Sequence, residues 1–541
     1  MVEEKRHIFI VIRNEYRFLT FFLFFILVLL VGFATDLRFA DEVHHYKLAE
    51  EWFKSGQRPQ YVNKVDEIEE LGYRVPYSTG PLWQWGMVLL WKLWGRSERW
   101  LIQLYQATLY FLLVLSIYFL AKELYGRKTA YYAGLIGATL PLFIALGILL
   151  FEEVPIAMLT TLCLLLIMRG KISLAGIVIG LMLLTKKNSY FLIPAFSLLI
   201  FGSRKLEFRF SFVKLRNVFL FLLLAGLITL PDFLWRYQHF GWVFVKGDKG
   251  NVIGLVGGMV KKSILTPGIT KQKLEPSSTP GIMKPELPKP VEPYVPKIKT
   301  YMPEILNNPI NVVKYYGLPL LSLLLFYLFK LNKKNLRSGF PLLLAVISYL
   351  PFFFIFFSPW LGARYIAPIL PFAAILAGKS FELVKEKKIR SLILVICFLQ
   401  FFAVLLFVNM QRKITSEDMA TFEFIRKQIP VEAKILTPEA HLILYHTGRP
   451  TLWCAGIPSK AGELQDFFWG DSSLRQKFLS ELKLKYLLIL RERIYDDLKT
   501  RHYGGFPKSF YETINSDRHF SLIFKNKKWE LWEARLASEK S

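Results

Sequence analysis

The chain has 541 residues, 53% hydrophobic and 16% aromatic, and its 69 Lys and Arg outnumber 42 Asp and Glu for a formal net charge of +27. The apolar residues are clustered, with residues 18–33 and 219–230 free of any charge. That clustering excludes a disordered chain and a small disulfide-stapled domain, and it argues against a soluble nucleic-acid binder in spite of the charge. Cys163, Cys397 and Cys454 show no CxxC spacing, so they outline neither a disulfide framework nor a zinc site.

In chain order, the charged residues 1–17 lead into an apolar run. No small-residue cleavage pattern follows it; Asp36, Arg38 and Asp41 come instead, so the run reads as a retained membrane helix rather than a cleaved signal. A bilayer core needs roughly 20 apolar residues per helix. By that ruler the chain predicts about eleven membrane segments. They lie near 18–35, 104–121, 129–149, 155–168, 172–185, 189–202, 217–235, 312–329, 340–357, 365–378 and 391–409. The short loops then divide by charge: 23 Lys and Arg lie on the side of the N-terminus and three on the other. Since basic loops stay cytoplasmic, this places the N-terminus inside and the C-terminal tail outside the cytoplasmic membrane.

The fold class expected is therefore a mostly α, polytopic membrane domain over residues 1–410, with a small soluble α/β domain over 411–541. Two long outside loops interrupt the first domain, 36–103 and 236–311; the second contains a Pro- and Lys-rich stretch, 267–303, without apolar periodicity. The tail begins with an amphipathic stretch, 419–429, and continues with strand-like runs at 434–437, 486–490 and 520–524.

The first outside loop opens on Phe39-Ala40-Asp41-Glu42-Val43-His44-His45-Tyr46, which continues as a short amphipathic helix closed by Gly56. Two carboxylates at a membrane surface suit a general base. The same two acids also suit the first turn of a helix, where they face the positive end of the dipole. Glu152 and Glu153 end an otherwise apolar hairpin, a costly placement unless they face water or a partner. Lys186, Lys187 and Arg364 lie on the outer side, against the charge bias. They suit either a phosphate group or snorkelling to lipid headgroups. Trp83, Trp85, Trp91 and Trp94 read as an interfacial aromatic belt.

These residues resemble the GT-C superfamily of membrane glycosyltransferases, and in pattern the protein O-mannosyltransferases and the transferase that adds aminoarabinose to lipid A. Asp41, Glu42, Ala49, Ser55 and Gly56 fall in register with the run D-E-A-x-Y-x-x-x-A-x-x-x-x-x-S-G; His45 replaces the usual Tyr and Tyr46 follows it. Pro81, Leu82 and Trp85 match the K-P-P-L-x-x-W element, in which the family Lys is Thr79 here and the first Pro is Gly80, leaving Arg74 as the nearest basic substitute. Leu124-Tyr125-Gly126-Arg127, Leu184-Thr185-Lys186 and Arg364-Tyr365 with Pro368 are similar to the L-F-G-R, L-T-K and R-Y-x-x-P elements.

The resemblance implies a sugar donor linked to polyprenyl or dolichyl phosphate. It implies inverting transfer to a hydroxyl of a protein, lipid or glycan acceptor on the outer face. Asp41 inherits the role of base, with Glu42 and Glu153 as the other catalytic acids. Lys186, Lys187, Arg364 and Arg74 are the candidates for the lipid phosphate, and His44, His45, Tyr46 and Glu152 for orientation. Asp41 and His45 are i, i+4 and share a helix face that a divalent metal could use, but no cofactor is assigned. The rival reading is a transporter or flippase of lipid-linked sugars, against which stand the lack of inverted repeats and of mid-helix charge.

Overall fold

A computed structural model describes residues 20, 23–32, 37–60, 67–68, 73–74, 80–202, 211–240, 309–330, 333–355, 363–454, 467–495 and 505–535. The Pro/Lys-rich stretch 267–303 lies outside them. So do the side chains of Arg74 and Lys187.

The first half is a run of helices: α1 Leu23–Gly32, α2 Ala40–Ser55, α3 Leu82–Trp94, α4 Arg99–Tyr125, α5 Arg127–Ala138, α6 Pro141–Ile148, α7 Glu153–Met168, α8 Ile172–Leu183, α9 Ile193–Gly202 and α10 Phe212–Phe240. Two two-residue strands, β1 Glu67–Ile68 and β2 Tyr73–Arg74, pair within the first loop. Then come α11 Pro309–Tyr316, α12 Leu318–Phe329, α13 Lys333–Ile355, α14 Leu370–Leu383 and α15 Lys387–Arg412. Among the described residues three helices are long and apolar enough to cross a membrane, those starting at Arg99, Phe212 and Lys387. The predicted 129–149 segment is two helices, α5 and α6, bent by 57°. The other described segments are shorter apolar helices, and the start of 189–202 is a 3-10 turn over Lys187–Leu192.

Apolar helices in lipid gain nothing from excluding water between them, so small residues that let backbones approach decide which faces meet. Gly176 and Gly180, one turn apart on α8, face α10; a Cβ on Gly180 would lie 2.6 Å from Ile228 Cβ, and one on Gly176 2.8 Å from Phe221 O.

The tail builds α16 Ser416–Gln428, β3 Lys434–Thr437, α17 Ala440–Thr447, β4 Thr451–Trp453, α18 Ser472–Glu481, β5 Leu484–Leu490, β6 Ile494–Tyr495, β7 Phe506–Pro507, α19 Lys508–Ile514, β8 Phe520–Lys525 and β9 Trp529–Ala534. Its sheet has the order β4-β3-β5-β9-β8, parallel over the first three strands and antiparallel over the last pairings. All three strand-like runs of the sequence are strands, and the amphipathic stretch is α16. One face of the sheet has its own core around Phe467, Phe478, Phe510 and Leu487. The other face, with Phe422, Ile425 and Leu488, belongs to the same core as the helix bundle.

Candidate functional site

Five turns from distant parts of the chain converge at one end of the helix bundle. The first is the start of α2. Glu42, at its third position, accepts from Phe39 N at 3.3 Å and so satisfies a free amide of the helix end. Gly56 closes the helix in the left-handed conformation (φ 71°), the role the sequence gives it. The other oxygen of Glu42 reaches across to Leu150 N at 3.0 Å and to Arg412 Nη2 at 3.1 Å. Arg412 in turn donates to Ile148 O at 3.4 Å. Both side chains of this ion pair are buried, 0% and 1% exposed.

The second is the acidic turn between α6 and α7. Gln106, a buried polar side chain on α4, donates to Leu146 O, Leu149 O and Phe151 O at 2.8, 3.1 and 3.0 Å, while its own oxygen accepts from Trp83 Nε1 at 3.2 Å. These bonds stand in for the water that an exposed turn would use, and they fix the backbone that carries Glu152 and Glu153.

The third and fourth turns dock on each other. Gly80 N donates to Thr185 O at 3.2 Å and Leu82 N to Leu184 O at 3.1 Å. A Cβ on Gly80 would fall 1.8 Å from Leu184 O, which gives a physical reason for glycine where relatives carry proline. Gly80→Ala is expected to lower stability by about 1–3 kcal/mol through forced separation of the two turns. Gly226→Ala, in α10 with nothing within 4 Å of the added carbon, is expected to leave the melting temperature where it is. Thermal unfolding of the two purified variants checks both, and equal melting temperatures would contradict the docking.

The fifth turn is the 3-10 segment Ala363–Ile366. Asn188 donates to Tyr349 Oη at 2.6 Å, and Tyr349 donates to Tyr365 O at 2.9 Å, so the 185–188 turn and this segment are tied through α13.

Where the turns meet, Arg364 Nη1 lies 2.6 Å from Asp41 Oδ2 and Arg364 Nε 3.5 Å from Glu153 Oε1. Lys186 Nζ is 2.7 Å from Glu153 Oε1 and 3.0 Å from Glu152 Oε1. The guanidinium of Arg364 sits over Phe151 at 4.9 Å and Tyr365 at 5.3 Å. Asp41 and Arg364 face open space, 51% and 28% exposed, whereas Glu152 and Glu153 are buried. Each glutamate keeps one buried oxygen, Oε2, without a hydrogen-bond partner.

The electrostatics follow from this geometry. Three carboxylates face two cations. Burial pushes the Glu152 carboxyl up; Lys186 pulls against it and Glu153 adds to the push, for a net rise. A proton on Glu152 leaves Asp41 and Glu153 against Lys186 and Arg364, a neutral set. Asp41 goes the other way. Desolvation by the turns packed around it raises its carboxyl, but Arg364 opposes this, with His45 and His44 adding to the pull, and the balance lies well below the usual carboxylate range.

Sequence reasoning thus placed Asp41, Glu152, Glu153, Lys186 and Arg364 in one site, and the structure brings all five together. The sequence set Lys186 and Arg364 against a phosphate; here both are already paired with acids. His45 Nδ1 lies 2.9 Å from Gln84 Nε2, and the ring packs edge-on against Trp83. Burial first, then His44, pushes His45 well below its ordinary value. His44 Nδ1 meets His441 Nε2 of α17 at 3.0 Å. Tyr46 packs against Trp91 and Tyr445. Trp83 and Trp91 are buried, so only Trp85 and Trp94 present the exposed rings that an interfacial belt requires. Among the described residues no group of three or more His, Cys, Asp or Glu is disposed to hold a metal ion.

Residues 78–235 match the family model described as dolichyl-phosphate-mannose-protein mannosyltransferase. The backbone is similar to ArnT from Cupriavidus metallidurans bound to undecaprenyl phosphate, with a TM-score of 0.58 and 11% identity over 97% of this chain and 98% of that one. It is also similar to the oligosaccharyltransferase AglB from Archaeoglobus fulgidus in complex with an inhibitory peptide and a dolichol-phosphate. There the TM-score is 0.58 and the identity 13%, over 87% of this chain and 69% of that one.

The chain has the GT-C fold.

No curated protein matches it in sequence. With side chains conserved at so few positions, the likeness to solved GT-C structures rests on backbone. Of the elements that resemble GT-C motifs in sequence, those at 41–56, 80–85, 184–186 and 364–368 supply four of the five turns, and the one at 124–127 supplies none. Gln106, Arg412, Gln84, Tyr349 and His441 also position these turns, and none carries a sequence signal of its own.

Proposed function

We propose that this chain is an integral membrane glycosyltransferase, with its N-terminus inside and its C-terminal domain outside the cytoplasmic membrane. It moves a sugar from a polyprenyl- or dolichyl-phosphate donor to an acceptor hydroxyl of a protein, lipid or glycan, with inversion. Asp41 is the general base: its proton comes from the acceptor hydroxyl as the oxygen attacks the anomeric carbon and the lipid phosphate leaves. Lys186 and Arg364 offset the charge that develops on that phosphate. Glu153 orients Arg364 and Lys186, and Glu42 holds the start of α2.

The observation that carries this reading is Asp41 itself. It is a carboxylate open to the site, beside an arginine, at the meeting point of turns that resemble a lipid-phosphate-dependent family. That ArnT and AglB were solved with undecaprenyl phosphate and dolichol-phosphate supports the donor class. The test is direct. The purified chain, in detergent or nanodiscs, is given synthetic polyprenyl-phosphate sugars and a panel of acceptors, and sugar transfer is followed by mass. Absence of transfer with every donor, together with movement of labelled lipid across the bilayer, would establish the transporter instead.

A further inference from the structure

Arg364 is paired with acids, and the way it is engaged differs from Lys186. Lys186 sits between two buried glutamates and is 13% exposed. Arg364 shares itself between Glu153, which holds Nε, and Asp41, which holds Nη1, and the Asp41 end is the open one. Rings of Phe151 and Tyr365 lie on the guanidinium. This pairing has a chemical cost. A base works best with a pKa near the working pH, and Arg364 holds the Asp41 carboxyl well below the usual range.

The reaction proposed above creates opposite demands in time. The donor is a phosphodiester with one negative charge, and its departure leaves a phosphate monoester with a second. A guanidinium fork matches that phosphate in two bonds. We propose that Arg364 is exchanged from Asp41 to the donor phosphate in the course of the reaction, so that binding and departure of the phosphate unmask the base. The step balances. The acceptor O–H bond breaks and its proton goes to Asp41. The acceptor oxygen bonds the anomeric carbon. The bond from that carbon to the phosphate oxygen breaks, and its electron pair leaves with the phosphate against Arg364. Glu153 keeps Nε and serves as the pivot.

This inference rests on the lipid-phosphate reading of the site, and its test needs no turnover. The titration of Asp41 is followed by infrared difference spectroscopy on the full chain, with Asp41→Asn as the subtraction reference, with and without polyprenyl monophosphate. The charged and titratable groups around Asp41 are His44 and His45 on α2, Glu152 and Glu153 on the acidic turn, Lys186, Tyr365, and the Glu42–Arg412 pair. Glu152→Gln is run in parallel to remove the neighbouring carboxyl that burial pushes up. The expected result is an Asp41 that stays ionised at pH 4 in the free protein and takes up its proton around pH 4, near an ordinary Asp carboxyl of about 3.9, with lipid present. In Arg364→Gln the proton uptake already lies near that ordinary value, and added lipid moves it little.

An Asp41 titration that lipid leaves unchanged in the wild type overturns the exchange. So does a lipid-induced rise of equal size in Arg364→Gln, because repulsion by the phosphate alone then accounts for it. Failure of sugar transfer in the assay above is a separate result and bears on the functional reading.

Discussion

Asp41→Asn is expected to lower kcat for sugar transfer by about 10²–10⁴-fold, the usual contribution of a positioned general base. Asn keeps the shape of the side chain and removes the proton acceptor, so the loss falls on the chemical step. The Michaelis constant for the acceptor should change little, since an interaction made only in the transition state lowers kcat and kcat/KM together. The fold should survive. Asp41 is half open, and Arg364 keeps Glu153 at 3.5 Å and its two aromatic neighbours when Asp41 is neutralised. Initial rates under saturating donor, with a melting curve on the same preparation, check both halves. Full activity in Asp41→Asn would remove Asp41 from the role of base. Loss of activity together with a large fall in melting temperature would mean that the carboxylate holds structure instead.

Much of this site can be read from the chain because its parts obey local rules. The Asp41-Glu42 pair opens a helix that Gly56 closes, and both ends are visible as short-range signals. Lys186 and Arg364 stand out because they break the charge bias of the membrane loops, and Glu152 with Glu153 because they end an apolar hairpin. What stays hidden is the pairing between these groups. Whether an outside cation faces water, phosphate or an acid depends on contacts between turns that are not neighbours in the chain, and no periodicity records that. Gly80 shows the same limit from the other side. As a departure from a family pattern it looked like a weakened motif, whereas in the structure it is the only size of residue that lets two turns bond backbone to backbone. Arg412 was hidden for another reason. A basic residue at the end of a long apolar helix reads as a headgroup anchor, and only the fold turns it inward. In the same way, four tryptophans near a membrane surface read as a belt, yet Trp83 points at Gln106 and Trp91 at Glu98 O.

The Glu42–Arg412 pair gives the second large effect. Two charges removed from water and paired with each other contribute little net stability, but removing one leaves the other without its counter-charge, at a cost of about 3–5 kcal/mol. Glu42→Gln leaves the buried Arg412 charge without its carboxylate, and Arg412→Met leaves the Glu42 carboxylate facing the amides of Phe39 and Leu150 without its cation. Each single variant should therefore fall steeply in melting temperature. A double variant, Glu42→Met with Arg412→Met, replaces the pair by apolar groups of similar length and should recover a large part of the loss, giving a strongly favourable coupling in the cycle. The activity of the double variant then separates two roles for Glu42. Recovery of both stability and transfer would make Glu42 a residue that positions α2 and the acidic turn. Recovery of stability without transfer would place its carboxylate in the chemistry, beside Asp41. Additive losses in the cycle would mean that the two side chains do not depend on each other, contrary to the 3.1 Å contact that joins them.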